Sequence, residues 1–153
     1  MQHHYDTLET RLLYPTTASE MSARYSVDFI VNGTSLHELL RADPLAGRFC
    51  QAWFAKSLPE TAEVFLLKRV PDLENGRVML YICNGCGDIS CGAITLQVSN
   101  TEDGGYVWSD FAFENDYDEE MTDRASHAAI GPFRFSAEQY QAAIEHAASL
   151  VEG

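Results

Sequence analysis

The chain has 153 residues, of which 23 are Asp or Glu and ten are Lys or Arg, giving a formal charge of −13, and 46% of its residues are hydrophobic. That length suits one domain burying about two-thirds of its unfolded surface, and the composition lies outside the disordered class. The charge argues against nucleic acid and anionic membranes as partners, because phosphate binding rests on clustered cations and counterion release, whereas a basic protein or a cation remains compatible.

Met1-Gln2-His3-His4-Tyr5 does not read as a positive region followed by an apolar one, and no apolar run approaches the roughly 20 residues that span a bilayer. A cytoplasmic location with four reduced thiols is expected. Residues 1–23 read as peripheral to a single domain spanning 1–153, with Leu8, Leu12 and Leu13 compatible with a short helix before Pro15.

From Tyr25 to Val31, Tyr25, Val27, Phe29 and Val31 alternate with Ser26 and Asp28, the period of a half-buried strand. Asn32-Gly33 supplies a turn. Ser35, with Glu38 three residues on, predicts a capped helix carrying Leu36, Leu39 and Leu40, ended by Asp43-Pro44. A second helical stretch is expected over Phe49, Ala52, Trp53 and Ala55 until Pro59 interrupts it. Val64 to Leu67 is apolar but fits either helix or strand.

After the turn signal Asn75-Gly76, Val78 to Ile82 is apolar on both faces and predicts a central strand. Ala93 to Val98 alternates, and after Glu102-Asp103-Gly104-Gly105 a third strand, rich in aromatics, runs from Tyr106 to Phe113. Ser136, Gln139 and the Phe135–Tyr140 spacing mark the start of a final amphipathic helix with Tyr140, Ile144, Ala147 and Val151 on one stripe. The expected fold is therefore α+β: an antiparallel meander packed against helices.

Cys83, Cys86 and Cys91 place three thiols in nine residues between two strands. A closed zinc site needs a fourth ligand, here only distant Cys50 or a histidine, and a redox pair relies on a helix N-terminus that this loop lacks. Small thiols buried in a tight glycine-rich connection are the expected reading, with no cofactor. Ser90 misses the nucleophile-elbow spacing, and His37-Glu38-Leu39-Leu40-Arg41 has arginine where a zinc-protease helix has its second histidine.

Glu114 to Asp123 holds six acids in ten residues. An EF-hand starting at Asp116 has Met121 in place of glycine and His127 in place of glutamate, so calcium is not expected. The choice lies between a solvated loop and a docking surface for a basic protein. The docking surface would comprise Trp108, Glu114, Asp116, Tyr117, Asp118, Glu119 and Glu120.

From Leu73 to Leu150 the sequence resembles a family of small uncharacterised bacterial proteins. The resemblance rests on the run from Cys83 to Thr95, on Trp108-Ser109-Asp110-Phe111 and on Gly131-Pro132-Phe133-Arg134-Phe135. It implies that the Cys loop and the final helix belong to one fold, and brings no activity with it. In size and acidity the chain also resembles bacterial immunity proteins that neutralise basic nuclease toxins. The leading expectation is a non-catalytic, immunity-type inhibitor acting by occlusion. The competing one is a small zinc or thiol-redox protein using the Cys loop, and a third is a structural subunit of an assembly.

Overall fold

The computed structural model describes residues 5–13, 26–41, 46–49, 58–71, 73, 76–82, 93–114 and 130–152. Within them lie eight strands and three helices. The first sheet comprises β1 (Leu8–Leu13), β2 (Ser26–Val31) and β3 (Thr34–Ser35), all antiparallel, in that order. The second runs in chain order through β4 (Ala46–Gly47), β5 (Val78–Ile82), β6 (Ala93–Asn100), β7 (Tyr106–Glu114) and β8 (Phe133–Phe135). Every pairing is antiparallel. With α1 (Leu36–Leu39), α2 (Leu58–Phe65) and α3 (Ala137–Glu152), the protein is a single α+β domain built around an antiparallel meander.

Three local expectations change. The N-terminal leucines form an edge strand, not a helix, and residues 8–13 are not peripheral: Leu8 is buried and pairs with Val31. Both sides of β2 are buried, Ser26 and Asp28 included, and Gly47 lies against its backbone. A Cβ built at Gly47 would stand 1.9 Å from the Val27 carbonyl oxygen, so only glycine permits this approach. Pro59 does not interrupt a helix but sits in the first turn of α2, where its missing N–H has no intrahelical partner to lose. The apolar run from Val64 closes that helix, and residues 50–57 of the expected second helix lie outside the described residues.

The core lies between the sheets and the helices. Phe29 meets Trp108 edge-on at 5.3 Å and Phe49 at 6.0 Å, Phe65 lies 5.2 Å from Phe49, and Trp108 meets Phe135 edge-on at 5.4 Å. Burying each such ring contributes about 1.5–3 kcal/mol, and edge-on contacts suit the ring quadrupoles. The α3 stripe closes this core: Tyr140, Ile144 and Ala147 are fully buried. The Tyr140 hydroxyl donates to the Phe65 carbonyl at 2.7 Å and accepts from the Trp108 indole N–H at 3.0 Å.

Both predicted helix starts are present. Ser35 Oγ accepts from the Glu38 N–H at 3.2 Å, and Ser136 Oγ from the Gln139 N–H at 3.3 Å. The Gln139 side chain, however, reaches across to β1. Its Oε1 accepts from the Leu8 N–H at 3.0 Å and its Nε2 donates to the Leu8 carbonyl, so the amide occupies outward-facing backbone groups of an edge strand. Asp6 extends this closure, donating its N–H to the Arg134 carbonyl at 2.7 Å and accepting the Arg134 N–H on Oδ2 at 2.8 Å.

Candidate functional site

Of the residues expected at a docking surface, the structure takes one away. Trp108 is fully buried with its indole nitrogen satisfied by Tyr140, so it is a core residue and presents nothing to a partner. The paired backbone of β7 places Glu114 at its end, whereas Asp116, Tyr117, Asp118, Glu119 and Glu120 lie outside the described residues, as do Cys83, Cys86 and Cys91. Their points of departure are nevertheless neighbours. Ala93 pairs with Ile82 on one side and Glu114 on the other, so the Cys loop and the acidic segment leave the sheet at adjacent strand ends.

A buried polar cluster centred on Asp28 escaped the sequence reading. Asp28 is 2% exposed. Its Oδ1 accepts the Tyr81 hydroxyl at 2.7 Å and the His37 N–H at 3.3 Å, its Oδ2 accepts the Ser35 hydroxyl at 2.5 Å, and the Arg11 guanidinium stands 3.9 Å away. The His37 ring packs edge-on to Tyr81 at 5.1 Å. Burial pushes the Tyr81 phenol well above its usual range, and the neighbouring Asp28 adds to this by charge and by accepting a hydrogen bond from its hydroxyl. Ser35 donates straight to the carboxylate with no imidazole between them, while also capping α1. The geometry is that of a brace tying β2, β3, α1 and β5 together, not of an activated nucleophile. The only sequence signal was an acid inside an apolar strand, which alternation assigned to solvent.

A second buried group supports the meander. Arg77, 0% exposed, donates from Nε to Thr95 Oγ1 at 2.8 Å, from Nη2 to the Thr95 carbonyl at 3.1 Å and to the Asp110 carbonyl, and from Nη1 to Asp110 Oδ2 at 2.8 Å. Here β7 carries an extra residue relative to β6, since Thr95 pairs with Ala112 but Gln97 with Ser109. Asp110 takes a left-handed φ of 57°. The bulge turns carbonyl and carboxylate together toward the guanidinium. Thr95 is itself buried.

Among the described residues the exposed large hydrophobic ones are Tyr5, Leu39 and Val70. At the β6–β7 turn an open groove of about 470 Å³ is lined by Glu102, Asp103, Val107, Pro132 and Arg134 among others. Asp103 accepts from the hydroxyls of Thr101 and Tyr5 and from the Gly105 N–H at 3.3 Å, and these donors hold its carboxyl well below the usual carboxylate range. The described residues include no group of three or more His, Cys, Asp or Glu able to hold a metal, and no described helix is long and apolar enough to cross a membrane. No family model, curated protein or solved structure matches the chain.

Proposed function

We propose that the protein is a non-catalytic, cytoplasmic protein-binding module, most concretely an immunity-type inhibitor whose acidic face covers the active or substrate-binding surface of a basic toxin. The carrying observation is the charge of −13, with six acids between Glu114 and Asp123. Such a field steers a cationic partner, and complementary charge raises association rates. Four described polar groups fit this reading as well, because Asp28, Ser35, Tyr81 and Arg77 are turned inward as braces. With Trp108 in the core, Tyr117 is the aromatic anchor left to an interface centre.

The test is association kinetics, over a salt series, with the basic protein captured from the source lysate. Replacing Asp116, Asp118, Glu119 and Glu120 together by Asn and Gln should slow association several-fold at low salt and change dissociation less, since salt screens such fields within about 8–10 Å. A partner that is itself acidic, or equal association at every salt concentration, overturns the proposal. The second reading, a small zinc or thiol-redox protein using Cys83, Cys86 and Cys91, is favoured by the adjacency of the Cys-loop ends to Glu114. Stoichiometric zinc in protein purified without chelator, with unfolding on its removal, would establish the metal form of that reading instead.

A further inference from the structure

The β2–β3 hairpin turns on Asn32-Gly33, whose φ values of 52° and 82° are both left-handed, as a type I′ turn requires. Asn32 also clamps the segment preceding β1. Its Oδ1 accepts the Thr7 N–H at 3.0 Å, its Nδ2 donates to Asp6 Oδ1 at 2.8 Å, and its own N–H donates to the Thr7 carbonyl at 3.1 Å. Asp6 in turn joins Arg134 on β8. The Asn32 carboxamide is therefore a latch between the hairpin and the strap formed by residues 5–7.

We propose that Asn32 is a spontaneous modification site gated by this strap, and that its conversion unlatches the strap for good. In the reaction the Gly33 backbone nitrogen loses its proton and attacks Asn32 Cγ. The new N–Cγ bond closes a succinimide, and the side-chain nitrogen leaves as ammonia. Water then opens the ring at either carbonyl, leaving aspartate or isoaspartate at position 32. Glycine suits the step because no side chain shields its nitrogen, and a Cβ built at Gly33 meets nothing within 4 Å.

The latched state resists this reaction. The carboxamide must rotate to meet the Gly33 nitrogen, which breaks its bonds to both Thr7 and Asp6. Conversion therefore follows transient release of the strap, a local opening of the kind that frees chain termini. Once it has occurred the latch cannot re-form in its old geometry. A carboxylate oxygen replaces the Nδ2 donor and faces Asp6 Oδ1 at hydrogen-bond range, and two like charges so close disfavour joint ionisation. The result is a one-way switch that loosens residues 5–7 while Asp6 retains Arg134. It is independent of any partner.

The test follows conversion of the full chain at 37 °C and mildly alkaline pH by peptide mass mapping, which resolves Asn32 from the other Asn-Gly pairs at Asn75 and Asn84. Asp6→Ala removes the acceptor of Nδ2 and should speed conversion at Asn32 several-fold while leaving Asn75 and Asn84 unchanged. Amide exchange at Asp6 and Thr7 should rise in Asn32→Asp, a direct mimic of the product, with the core amides of β6 and α3 unaffected. Unchanged conversion of Asn32 in Asp6→Ala, or equal acceleration at all three asparagines, would overturn the gating. Parental exchange at Asp6 and Thr7 in Asn32→Asp would overturn the latch.

Discussion

Tyr81→Phe isolates the contribution of the Asp28 brace, because it keeps the buried ring and removes only the hydroxyl. That hydroxyl donates to Asp28 Oδ1 at 2.7 Å. Without it Oδ1 keeps the His37 N–H at 3.3 Å, and Oδ2 keeps Ser35 at 2.5 Å with Arg11 at 3.9 Å. Water has little access to replace the donor, as Asp28 is 2% exposed. A hydrogen bond to a carboxylate contributes about 1.5–3 kcal/mol, so a loss of about 2 kcal/mol is expected at neutral pH. For a chain of this length that lowers the melting temperature by roughly 4–8 °C.

The pH dependence gives an independent check. The Tyr81 phenol is raised in the folded state from an ordinary value of 10.0, so the folded protein keeps a proton that the unfolded chain releases. This contribution is complete below about pH 10 and fades above it by about 1.4 kcal/mol per pH unit. Phenylalanine has no such proton, so the deficit of the variant should shrink as pH rises above about 10. The alkaline effect of Tyr140, also raised by burial, is common to both proteins and cancels. Urea midpoints of parent and variant from about pH 8 to about pH 11 measure this directly. Equal midpoints at neutral pH, or a deficit that stays constant through that range, would refute the brace.

Gly47→Ala should cost about 3 kcal/mol or more, since its Cβ would overlap the Val27 carbonyl and backbone must move; a urea midpoint within error of the parent would show that β4 does not press on β2. Ser136→Ala removes the acceptor of the Gln139 N–H and should cost about 1 kcal/mol, whereas Ser136→Asp should not; equal denaturant midpoints for the alanine variant and the parent would place the helix start elsewhere. Arg41 is exposed and held at φ 53° at the end of α1, so Arg41→Gly should raise stability by about 0.5–1 kcal/mol, read as a small increase in melting temperature.

The three central strands of the meander, β5, β6 and β7, were legible because their signals are local. The run Val78 to Ile82 and the turn at Gly104 need no distant partner to be recognised, and the observed β5 has the predicted ends. The same holds for Ser35 and Ser136, whose capping bonds close within three residues. Leu8 to Leu13 failed this way of reading: three leucines without clean periodicity fit either state, and pairing with β2 decided for strand. Trp108 shows the matching failure for sites. An aromatic beside acids can anchor a partner or fill a core, and the Tyr140 hydroxyl opposite its indole nitrogen decided for the core.

Composition and order along the chain determined by themselves the class of the fold, the three central strands of the meander, the starts of α1 and α3 and the acidic character, since each depends on residues a few positions apart or on a simple count. Tertiary structure alone decided which polar groups are buried. Asp28 meets Tyr81 across 53 positions, Arg77 meets Asp110 across 33, and Gln139 meets Leu8 across 131. A buried carboxylate or guanidinium is tolerable only when such partners satisfy it, and no local pattern announces that they will arrive.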